Sequence, residues 1–379
     1  MKKKILLIDT SDSEYHKMLL HEMRKYLDVT SVSKYYSSDE NAYKYFFPLS
    51  EKMKRGKIRK IIRGFEYIWG YIRTLTLVKT NKFDAIHIQW ALIPKIDFFF
   101  FKRLRKYTEK IIYTAHDVIP HVSDKKSIRQ NAKLYNLTDN LIVHGEYCVD
   151  EINKYYPEVK DKIIIQHHGV YEKKNITISD MIYKKHELLL NVTKSKKIVL
   201  GFLGQINEYK GIDVLIDAWS KYKLCNDIAL IIAGKTIDTY KCEFKKIEYK
   251  IKEMHNIYFY NDWFDDEEEE LFYSICDIII LPYKTASMSG VVFSAAKHSK
   301  TVISTTVGCL KEYLVPAADY VYFTKPNAVS IQKIIDNLLT QDNIDKLLEQ
   351  KGICFGKFIY ENYSWKKIVK QLIYDCYRF

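Results

Sequence analysis

Apolar residues in this chain are concentrated in short runs rich in isoleucine and valine, and longer amphipathic stretches separate these runs. The runs do not alternate cleanly between apolar and polar positions, which is typical of parallel strands buried on both faces of a sheet. We predict strands at 3–9, 85–90, 110–117, 141–145 and 162–169 in the first half, and at 197–204, 228–234, 257–262, 276–283, 301–308 and 320–324 in the second. Strand and helix in regular alternation indicate βαβ units and doubly wound sheets.

The strand pattern lapses and polar residues dominate between 172 and 195, so we place a domain junction there. We expect two Rossmann-like α/β domains that face each other across a cleft, at 1–180 and 193–358. In such sheets, ligands bind at the carboxyl ends of the strands, where loops run into helix N-termini. Candidate site residues are therefore sought at strand ends.

Composition excludes several other classes of protein. The 379 residues are 47% hydrophobic, which is enough for a packed core and excludes general disorder. No apolar run of membrane-spanning length occurs, and the short apolar stretch after Met1 is better interpreted as a buried strand than as a signal peptide. The seven cysteines are scattered singly, which argues against a zinc ribbon or disulfide framework and fits a reducing cytoplasm.

Charge indicates the kind of partner. The chain has 60 basic and 47 acidic residues, a net charge of +13, so nucleic acid, anionic lipid and phosphorylated small molecules are all candidates. The densest basic segment, 51–63, runs into aromatic residues up to 73, and 92–107 has four phenylalanines followed by lysines and arginines. This mixture suits a membrane interface, although the aromatic residues could equally be core. No nucleic-acid-binding motif accompanies the charge, so we expect no nucleic acid partner.

A first candidate for anion binding is Lys210. A predicted strand ends in Gly204, and Lys210-Gly211 opens a predicted helix. A lysine at this place can reach the same anion that the helix dipole and the free N–H groups attract. The alternative is an ordinary loop with a solvated lysine, and the P-loop pattern is absent.

A second candidate follows the predicted strand that ends near Pro282. Ser287 and Ser289 precede Gly290, Val291 and a helical stretch. Serine is a favoured helix N-cap, and glycine lets a phosphate approach the backbone N–H groups. Ser289, Gly290 and Val291 are therefore a plausible diphosphate cradle, where the simpler interpretation is a helix cap alone.

Histidines at predicted strand ends are a third candidate. His87, His116, His144 and the pair 167–168 all occupy such positions, and Asp117 follows His116. A single histidine there is usually packed, but several at one edge of a sheet indicate a site that titrates near neutral pH. No metal-binding spacing and no GxSxG elbow is present, so we expect neither a zinc site nor a hydrolase triad.

These segments resemble the glycosyltransferases of the GT-B fold, in particular family 4, the "glycosyl transferases group 1" enzymes. The resemblance spans nearly the whole chain and is most specific over 197–314, where GFLGQINEYKGIDVLIDAW, ICDIIILPY and SGVVFSAAKHSKTVISTTVG follow the family's order. In the first half, YTAHD and LIVHGEYCVDEI match its strand-end segments. The tail resembles the family's final helix, which implies that 360–379 packs back on the N-terminal domain.

The resemblance implies a nucleotide-sugar donor bound mainly by the C-terminal domain, an acceptor bound mainly by the N-terminal one, and no metal or other cofactor. Lys210 would neutralise the donor diphosphate, and the backbone of Ser289, Gly290 and Val291 would cradle it. The other donor-binding positions that it implies are Gly204, Gln205, Gly234, Trp263 and Phe264 beside the base, Ser287 and Ser294. His116 corresponds to the family's histidine near the transferring sugar, so we predict His116 and Lys210 as catalytic. A cation and fixed N–H groups would stabilise the charge on the departing nucleoside diphosphate.

The sequence departs from the family pattern in the donor site. The usual arginine after the strand-end glycine is Gln205, which removes a positive charge. The family's two glutamates, separated by seven residues, correspond to Ala286 and Ser294, and the second normally holds the donor ribose. A divergent subgroup has a serine and glycine version of this loop, which favours an active enzyme.

The acceptor side departs as well. The first loop, 9–20, lacks the glycines common in the family, so we expect unusual acceptor contacts from Tyr15 and His16. His87 and Asp117 are further acceptor-binding candidates.

We therefore predict a glycosyltransferase that moves a sugar from a UDP- or GDP-sugar to a glycan or lipid-linked acceptor in bacterial capsule, exopolysaccharide or lipopolysaccharide biosynthesis, with retention of configuration. It would be cytoplasmic and peripherally bound to the anionic inner face of the plasma membrane. One alternative is a GT-B homologue that lost catalysis and acts as a binding or scaffold subunit. Another is an epimerase or phosphorylase, but the phosphorylase would need a pyridoxal-phosphate lysine context that the sequence lacks.

Overall fold

The chain forms two compact units. The computed structural model describes residues 2–11, 14–34, 41–54, 56–118, 125–172, 175–193 and 195–377. The first unit comprises Met1–Gly169 and Trp365–Phe379, and the second comprises Val170–Ser364. Each unit contains one parallel sheet with its own buried core.

The sheet of the first unit has seven strands in the order β3-β2-β1-β4-β5-β6-β7, all parallel. The strands are β1 (Lys4–Asp9), β2 (Asp28–Ser33), β3 (Ala42–Lys44), β4 (Ala85–Ile88), β5 (Lys110–Thr114), β6 (Asn140–Val143) and β7 (Ile163–Ile165). The strand order reverses between β1 and β4, and such a switch point is where doubly wound sheets bind ligands.

The sheet of the second unit has six parallel strands in the order β10-β9-β8-β11-β12-β13. The strands are β8 (Ile198–Leu203), β9 (Ile228–Ala233), β10 (Ile257–Tyr260), β11 (Ile278–Leu281), β12 (Thr301–Thr305) and β13 (Tyr322–Thr324). All six lie within runs that the sequence predicts. The α/β fold class with two Rossmann-like sheets is therefore confirmed.

Helices cover these sheets and connect their strands. They are α1 (Glu14–Arg24), α2 (Lys57–Thr80), α3 (Pro94–Leu104), α4 (Lys125–Asn136), α5 (Glu146–Tyr155), α6 (Asp180–Lys185), α7 (Glu187–Thr193), α8 (Ile212–Trp219), α9 (Lys241–Lys252), α10 (Asp266–Ile275), α11 (Gly290–Lys297), α12 (Leu310–Leu314), α13 (Ala328–Thr340), α14 (Ile344–Asn362) and α15 (Trp365–Cys376). In the parts of the chain given above, no helix combines the length and the hydropathy that a membrane crossing requires.

The polar segment 172–195, where the sequence pattern predicts a domain junction, lies in the second unit and contains α6 and α7. Buried polar contacts attach it there, because the Nε2 of His186 lies 2.7 Å from the Glu268 carboxylate. Glu268 also completes a capping box with Asp265 at the start of α10. The structure therefore separates the units at Gly169, and it assigns the last helix, α15, to the first unit.

Candidate active site

Two glycines shape the carboxyl edge of the sheet in the second unit. Gly234 has a φ of 154°, and a Cβ there would lie 1.8 Å from the carbonyl oxygen of Gly204. Gly211 has a φ of 70°, and its Cβ would lie 2.0 Å from the carbonyl oxygen of Pro282. Only glycine fits these positions, so the loops that follow β8, β9 and β11 can approach one another closely at this edge.

Lys210 is held in the middle of these loops. It ends a short 3₁₀ turn at 208–210 and is only 8% exposed. Its Nζ donates to the Tyr283 hydroxyl at 2.7 Å and lies 3.9 Å from the centroid of the same ring. The Tyr283 hydroxyl is 3.2 Å from the Oγ of Ser289, and burial raises the pKa of Tyr283, so the phenol is neutral. A buried cation is thus connected through one phenol to the residue that precedes α11.

The N-terminus of α11 completes this polar group. Ser289 occupies the N-cap position, but its side chain makes no capping bond. Among the described residues, nothing bonds to the backbone N–H groups of Gly290 and Val291. The Tyr171 hydroxyl lies 3.0 Å from the point where a Cβ on Gly290 would stand, so any side chain there would crowd it. Open N–H groups at a helix N-terminus, with a lysine close by, are suited to a phosphate.

Ser294 lies one turn further along α11, next to α10. Its hydroxyl lies beside the Glu269 carboxyl group. Burial raises the pKa of Glu269, and the positive charge of Lys297 partly opposes the effect. The buried Tyr273 ring stacks on His298 with 4.2 Å between centroids. The Glu269 carboxyl group therefore lies beside Ser294, the position where the family pattern has a glutamate.

The remaining predicted donor residues follow the ends of β8, β10 and β11. Trp263 is 47% exposed, whereas Phe264 packs against His186 with 5.5 Å between ring centroids. Gln205 is exposed and Ser287 is half-buried. Because parallel strands end at the same edge, the structure brings these residues to the edge that holds Lys210.

The first unit has a polar cluster at the corresponding edge, around Tyr15 of α1. The Nδ1 of His116, after β5, lies 2.9 Å from the Nε2 of His144, after β6. Trp90, after β4, stacks on His116 with centroids 4.4 Å apart, and Trp365 of α15 lies 4.9 Å from the Tyr15 ring. Burial lowers the pKa of His144 to about 4 and that of His116 well below its ordinary value. The cluster is therefore uncharged at neutral pH and can exchange hydrogen bonds with hydroxyl groups.

His87 does not join this cluster as a binding residue. It is fully buried in the sheet, with Nδ1 2.6 Å from the Tyr377 hydroxyl and Nε2 2.7 Å from the Thr114 hydroxyl. Burial lowers the pKa of His87 to about 3. Because both ring nitrogens are bonded within the protein, the geometry favours a packing role over the predicted contact with an acceptor.

His16 likewise has both nitrogens engaged, with Gln89 at 2.7 Å and Ser31 at 3.0 Å. The geometry gives it a positioning role, since it orients the Gln89 amide. Asp117 is exposed at the end of β5 beside His116, where a ligand can reach it.

Sequence reasoning missed four residues of this cluster: Gln89, Trp90, Gln166 and Trp365. The Gln166 amide donates to the Tyr15 hydroxyl at 2.6 Å. Gln89, Trp90 and Gln166 lie within the runs that we predict as strands, and they follow β4 and β7 in the structure. Their polar side chains near the ends of these runs were a signal, but only the histidines there were considered. Trp365 begins the last helix, and nothing in the sequence pattern places it against Tyr15.

The basic and aromatic segment 51–73 forms part of α2 and divides between core and surface. Tyr67 and Tyr71, two of the aromatic residues that the sequence leaves open as interfacial or core, are buried, and both hydroxyls donate to Asp97 of α3. The exposed apolar side chains of α2 fall at spacings of three and four, on one face: Ile58, Ile61, Phe65, Ile68, Trp69 and Ile72. Of the four phenylalanines in α3, Phe100 and Phe101 are core residues.

A basic pocket of about 490 Å³ opens between α3 and α4. It is lined by Pro94, Lys95, Phe98, Lys126, Arg129, Gln130 and Lys133. The combination of cations with apolar side chains suits a phosphate group that has an apolar attachment.

The two Rossmann-like units and their polar strand ends define a glycosyltransferase of the GT-B fold. Residues 190–353 match the family model of glycosyl transferases group 1, and residues 52–168 match the N-terminal domain of glucosyltransferase 3-like proteins. The stretch that matches the group 1 model includes Lys210, the start of α11 and Ser294. The assignment of the chain to family 4 stays a prediction.

Known proteins share this architecture at low identity. The chain is 25% identical over 276 residues to a 41.2 kDa protein in the cps region of Klebsiella pneumoniae, covering 69% of this chain and 72% of that protein. It is 24% identical over 321 residues to a glycosyltransferase of Methanocaldococcus jannaschii, with 82% and 80% covered. Anabaena Alr3699/HepE, solved in complex with UDP and glucose, aligns with a TM-score of 0.68 over 98% of each chain at 13% identity.

Proposed function

We propose that this protein transfers a sugar from a nucleotide-sugar donor, a UDP- or GDP-sugar, to a glycan or lipid-linked acceptor in bacterial cell-surface polysaccharide biosynthesis. The proposal rests on one observation: Lys210, joined through Tyr283 to Ser289, lies beside the open N-terminus of α11. A buried ammonium and unpaired N–H groups bind a diphosphate well, and they favour its departure as negative charge develops on it.

Two similar proteins support the finer parts of the proposal. Alr3699/HepE was solved with UDP and glucose, which favours a UDP-sugar donor. The Klebsiella relative is from a cps region, which favours capsule or a related polysaccharide as the product.

We propose that Lys210 and the helix N-terminus do the work that a metal ion does in other transferases. They neutralise the charge of the departing diphosphate, so the reaction needs no metal. His116 would contact the transferring sugar, and retention of configuration stays a prediction.

We further propose that the acceptor is lipid-linked and that the protein binds the anionic cytoplasmic face of the plasma membrane. The exposed face of α2 combines Phe65 and Trp69, 72% and 60% exposed, with neighbouring lysines and arginines. Aromatic side chains settle at the headgroup level while cations attract anionic lipid. The basic pocket between α3 and α4 would receive the phosphate of the lipid-linked acceptor.

Thermal unfolding with UDP, GDP, CMP and their sugar conjugates tests the donor site. A ligand at 100 times its dissociation constant adds about 2.7 kcal/mol of stability. We expect a clear shift with one nucleoside diphosphate, followed by transfer of its sugar. No shift with any of them would favour the second candidate, a scaffold subunit that lost catalysis, which the residues at 205, 286 and 294 motivate.

Vesicle flotation tests the membrane part separately. We expect the protein to float with vesicles that contain phosphatidylglycerol and to remain behind with phosphatidylcholine alone. Equal recovery with both would show that the basic surface does not recognise anionic lipid.

A further inference from the structure

The loop between β10 and α10, residues 261–265, is held by hydrogen bonds at both of its ends. At its start, the side-chain oxygen of Asn261 accepts from the backbone and the hydroxyl of Thr236, at 2.9 Å and 3.1 Å. At its end, the backbone N–H of Asp265 donates to Oε2 of Glu268 at 3.1 Å. The residues between these two anchors are therefore presented in a defined position.

His186, which lies between α6 and α7, binds the other oxygen of the same carboxylate. Its Nε2 is 2.7 Å from Oε1 of Glu268, and because a carboxylate only accepts, the histidine donates. Burial alone would raise the pKa of Glu268, but hydrogen bonds from Lys185 and His186 lower it below its ordinary value. The ionised carboxylate of Glu268 thus connects His186 to the end of the loop.

The ring of His186 also packs against the loop. Its centroid lies 5.5 Å from that of Phe264 and 5.1 Å from that of Tyr260, the last residue of β10. His186 is 2% exposed, and its Nδ1 has no hydrogen-bond partner among the described residues. A buried polar atom without a partner costs stability, so stability alone does not account for a histidine at this position.

The loop presents one aromatic side chain to solvent. Trp263, between the two anchors, is 47% exposed and follows β10 at the carboxyl edge of the sheet, which also holds Lys210. Two strand spacings separate β10 from β8, a distance of about 10 Å that a nucleoside diphosphate can bridge. An indole offers a flat face on which a nucleobase stacks.

We propose that His186 is a positioning residue for the base of the donor. It holds Glu268, which in turn holds the loop that presents Trp263 to the base. The proposal rests on the proposed function, since it requires a nucleoside diphosphate at this edge of the sheet. His186 itself is buried and does not touch the nucleotide.

Titration calorimetry on the full chain with UDP, GDP and inorganic pyrophosphate tests the proposal. Pyrophosphate reports on the anion site at Lys210 alone, whereas a nucleoside diphosphate also reports on the base. His186→Phe keeps an aromatic ring and removes the N–H that Glu268 accepts. It should weaken the nucleotide that the wild type binds by about 3- to 10-fold and leave pyrophosphate affinity within about twofold.

Two variants serve as matched controls. His186→Gln keeps an N–H that can reach Glu268, so it should retain the nucleotide affinity of the wild type within about twofold. Lys185→Met removes a donor from the same oxygen of Glu268, at 2.6 Å, but the lysine side chain is 59% exposed. Exposed ion pairs contribute little, so this variant should also stay within about twofold.

A double-mutant cycle with Trp263 shows whether His186 acts through the loop. Trp263→Ala should weaken the nucleotide about 5- to 150-fold and leave pyrophosphate unchanged. In the Trp263→Ala background, His186→Phe should weaken the nucleotide by less than about twofold, because the contact that it positions is already gone. If His186→Phe fails to fold, His186→Ala removes the same bond without adding volume and takes its place.

Three results would overturn the proposal. They are an unchanged nucleotide affinity in His186→Phe, equal losses of nucleotide and pyrophosphate affinity, and a loss in His186→Gln as large as that in His186→Phe. A wild type that binds pyrophosphate but neither UDP nor GDP would also overturn it, while leaving the anion site in place. A wild type that binds none of the three would instead contradict the proposed function.

Discussion

Replacing Lys210 by methionine isolates one charge in the proposed donor site. The side chain is 8% exposed, and its Nζ bonds to the Tyr283 hydroxyl at 2.7 Å. Methionine is also unbranched and apolar, so it can fill the same space without the ammonium. Tyr283 keeps its contact with Ser289 in the variant.

The size of the effect follows from the contact that is lost. A hydrogen bond to a charged group contributes about 1.5–3 kcal/mol, so UDP should bind about 10- to 150-fold more weakly to Lys210→Met. The ligand-free protein should not lose stability, because a buried ammonium is costly to desolvate and an apolar replacement removes that cost. In Lys210→Met, the affinity for UDP should therefore fall while the stability of the ligand-free protein does not.

Titration calorimetry with UDP at physiological salt, together with thermal unfolding, measures both quantities. The matched control is Lys284→Met, which removes the same charge in the loop after β11, from a lysine whose Nζ pairs with the Asp213 carboxylate at 2.6 Å. It should keep the UDP affinity within about twofold, as expected for a partly exposed ion pair. Unchanged affinity in Lys210→Met, or equal losses in both variants, would refute the argument from local contact.

The remaining predictions concern two glycine substitutions, the pH dependence of stability and binding to anionic vesicles. Gly234→Ala should destabilise the protein by more than about 3 kcal/mol in urea unfolding, because its Cβ would overlap a backbone oxygen 1.8 Å away. A Cβ at Gly64 in α2 would have no atom within 4 Å, so Gly64→Ala should stabilise the protein by about 0.5–1 kcal/mol. Equal effects of Gly234→Ala and Gly64→Ala on stability would contradict this argument from packing. Burial lowers the pKa of His87 to about 3 and of His144 to about 4. The neutral forms of both histidines thus stabilise the fold fully above pH 6.5. As the pH falls from about 6.5 to 4, each histidine should lower the free energy of unfolding by about 1.4 kcal/mol per pH unit. Urea unfolding that is insensitive to pH from 7 to 5 would refute this. Phe65→Ser should reduce flotation with anionic vesicles about 10-fold, since a buried phenylalanine contributes roughly 1.5–3 kcal/mol, and should leave UDP affinity unchanged; undiminished flotation would exclude this face of α2.

The sheet of the second unit could be predicted because its strands are dense in isoleucine and valine. The first unit was harder, since β2 and β3 have the sequences DVTSVS and AYK. Ser31 and Ser33 of β2 are buried, and Ser31 bonds to His16. Hydrophobic patterning cannot detect a strand whose buried side chains are polar and find partners only in the fold.

The candidate site was predictable where position along a strand decides the outcome. Lys210 and Ser289 follow strand ends, and the sheet brings all such ends to one edge. The orientation of a side chain is a different matter. His87 also stands near a strand end, but it bonds to Tyr377, 290 residues later, inside the sheet. Gln166 meets Tyr15 from 151 residues away, and no local pattern encodes such a pair.

The donor ribose shows why a missing motif residue does not settle activity. The sequence has Ala286 and Ser294 where the family has glutamates, which by itself favours a scaffold protein. Ala286 is 3% exposed and its carbonyl accepts from Cys309, so no side-chain carboxylate is available there. At Ser294 the fold supplies one from elsewhere, because Glu269 of α10 lies beside the serine hydroxyl. If the donor ribose lies at Ser294, as the resemblance implies, a carboxyl group on the neighbouring helix α10 is still present beside it. The charges that are absent at Gln205 and Ala286 are not replaced, and Lys210 is then the buried cation on which the proposed donor site depends. Lys210→Met therefore distinguishes an enzyme from a scaffold protein.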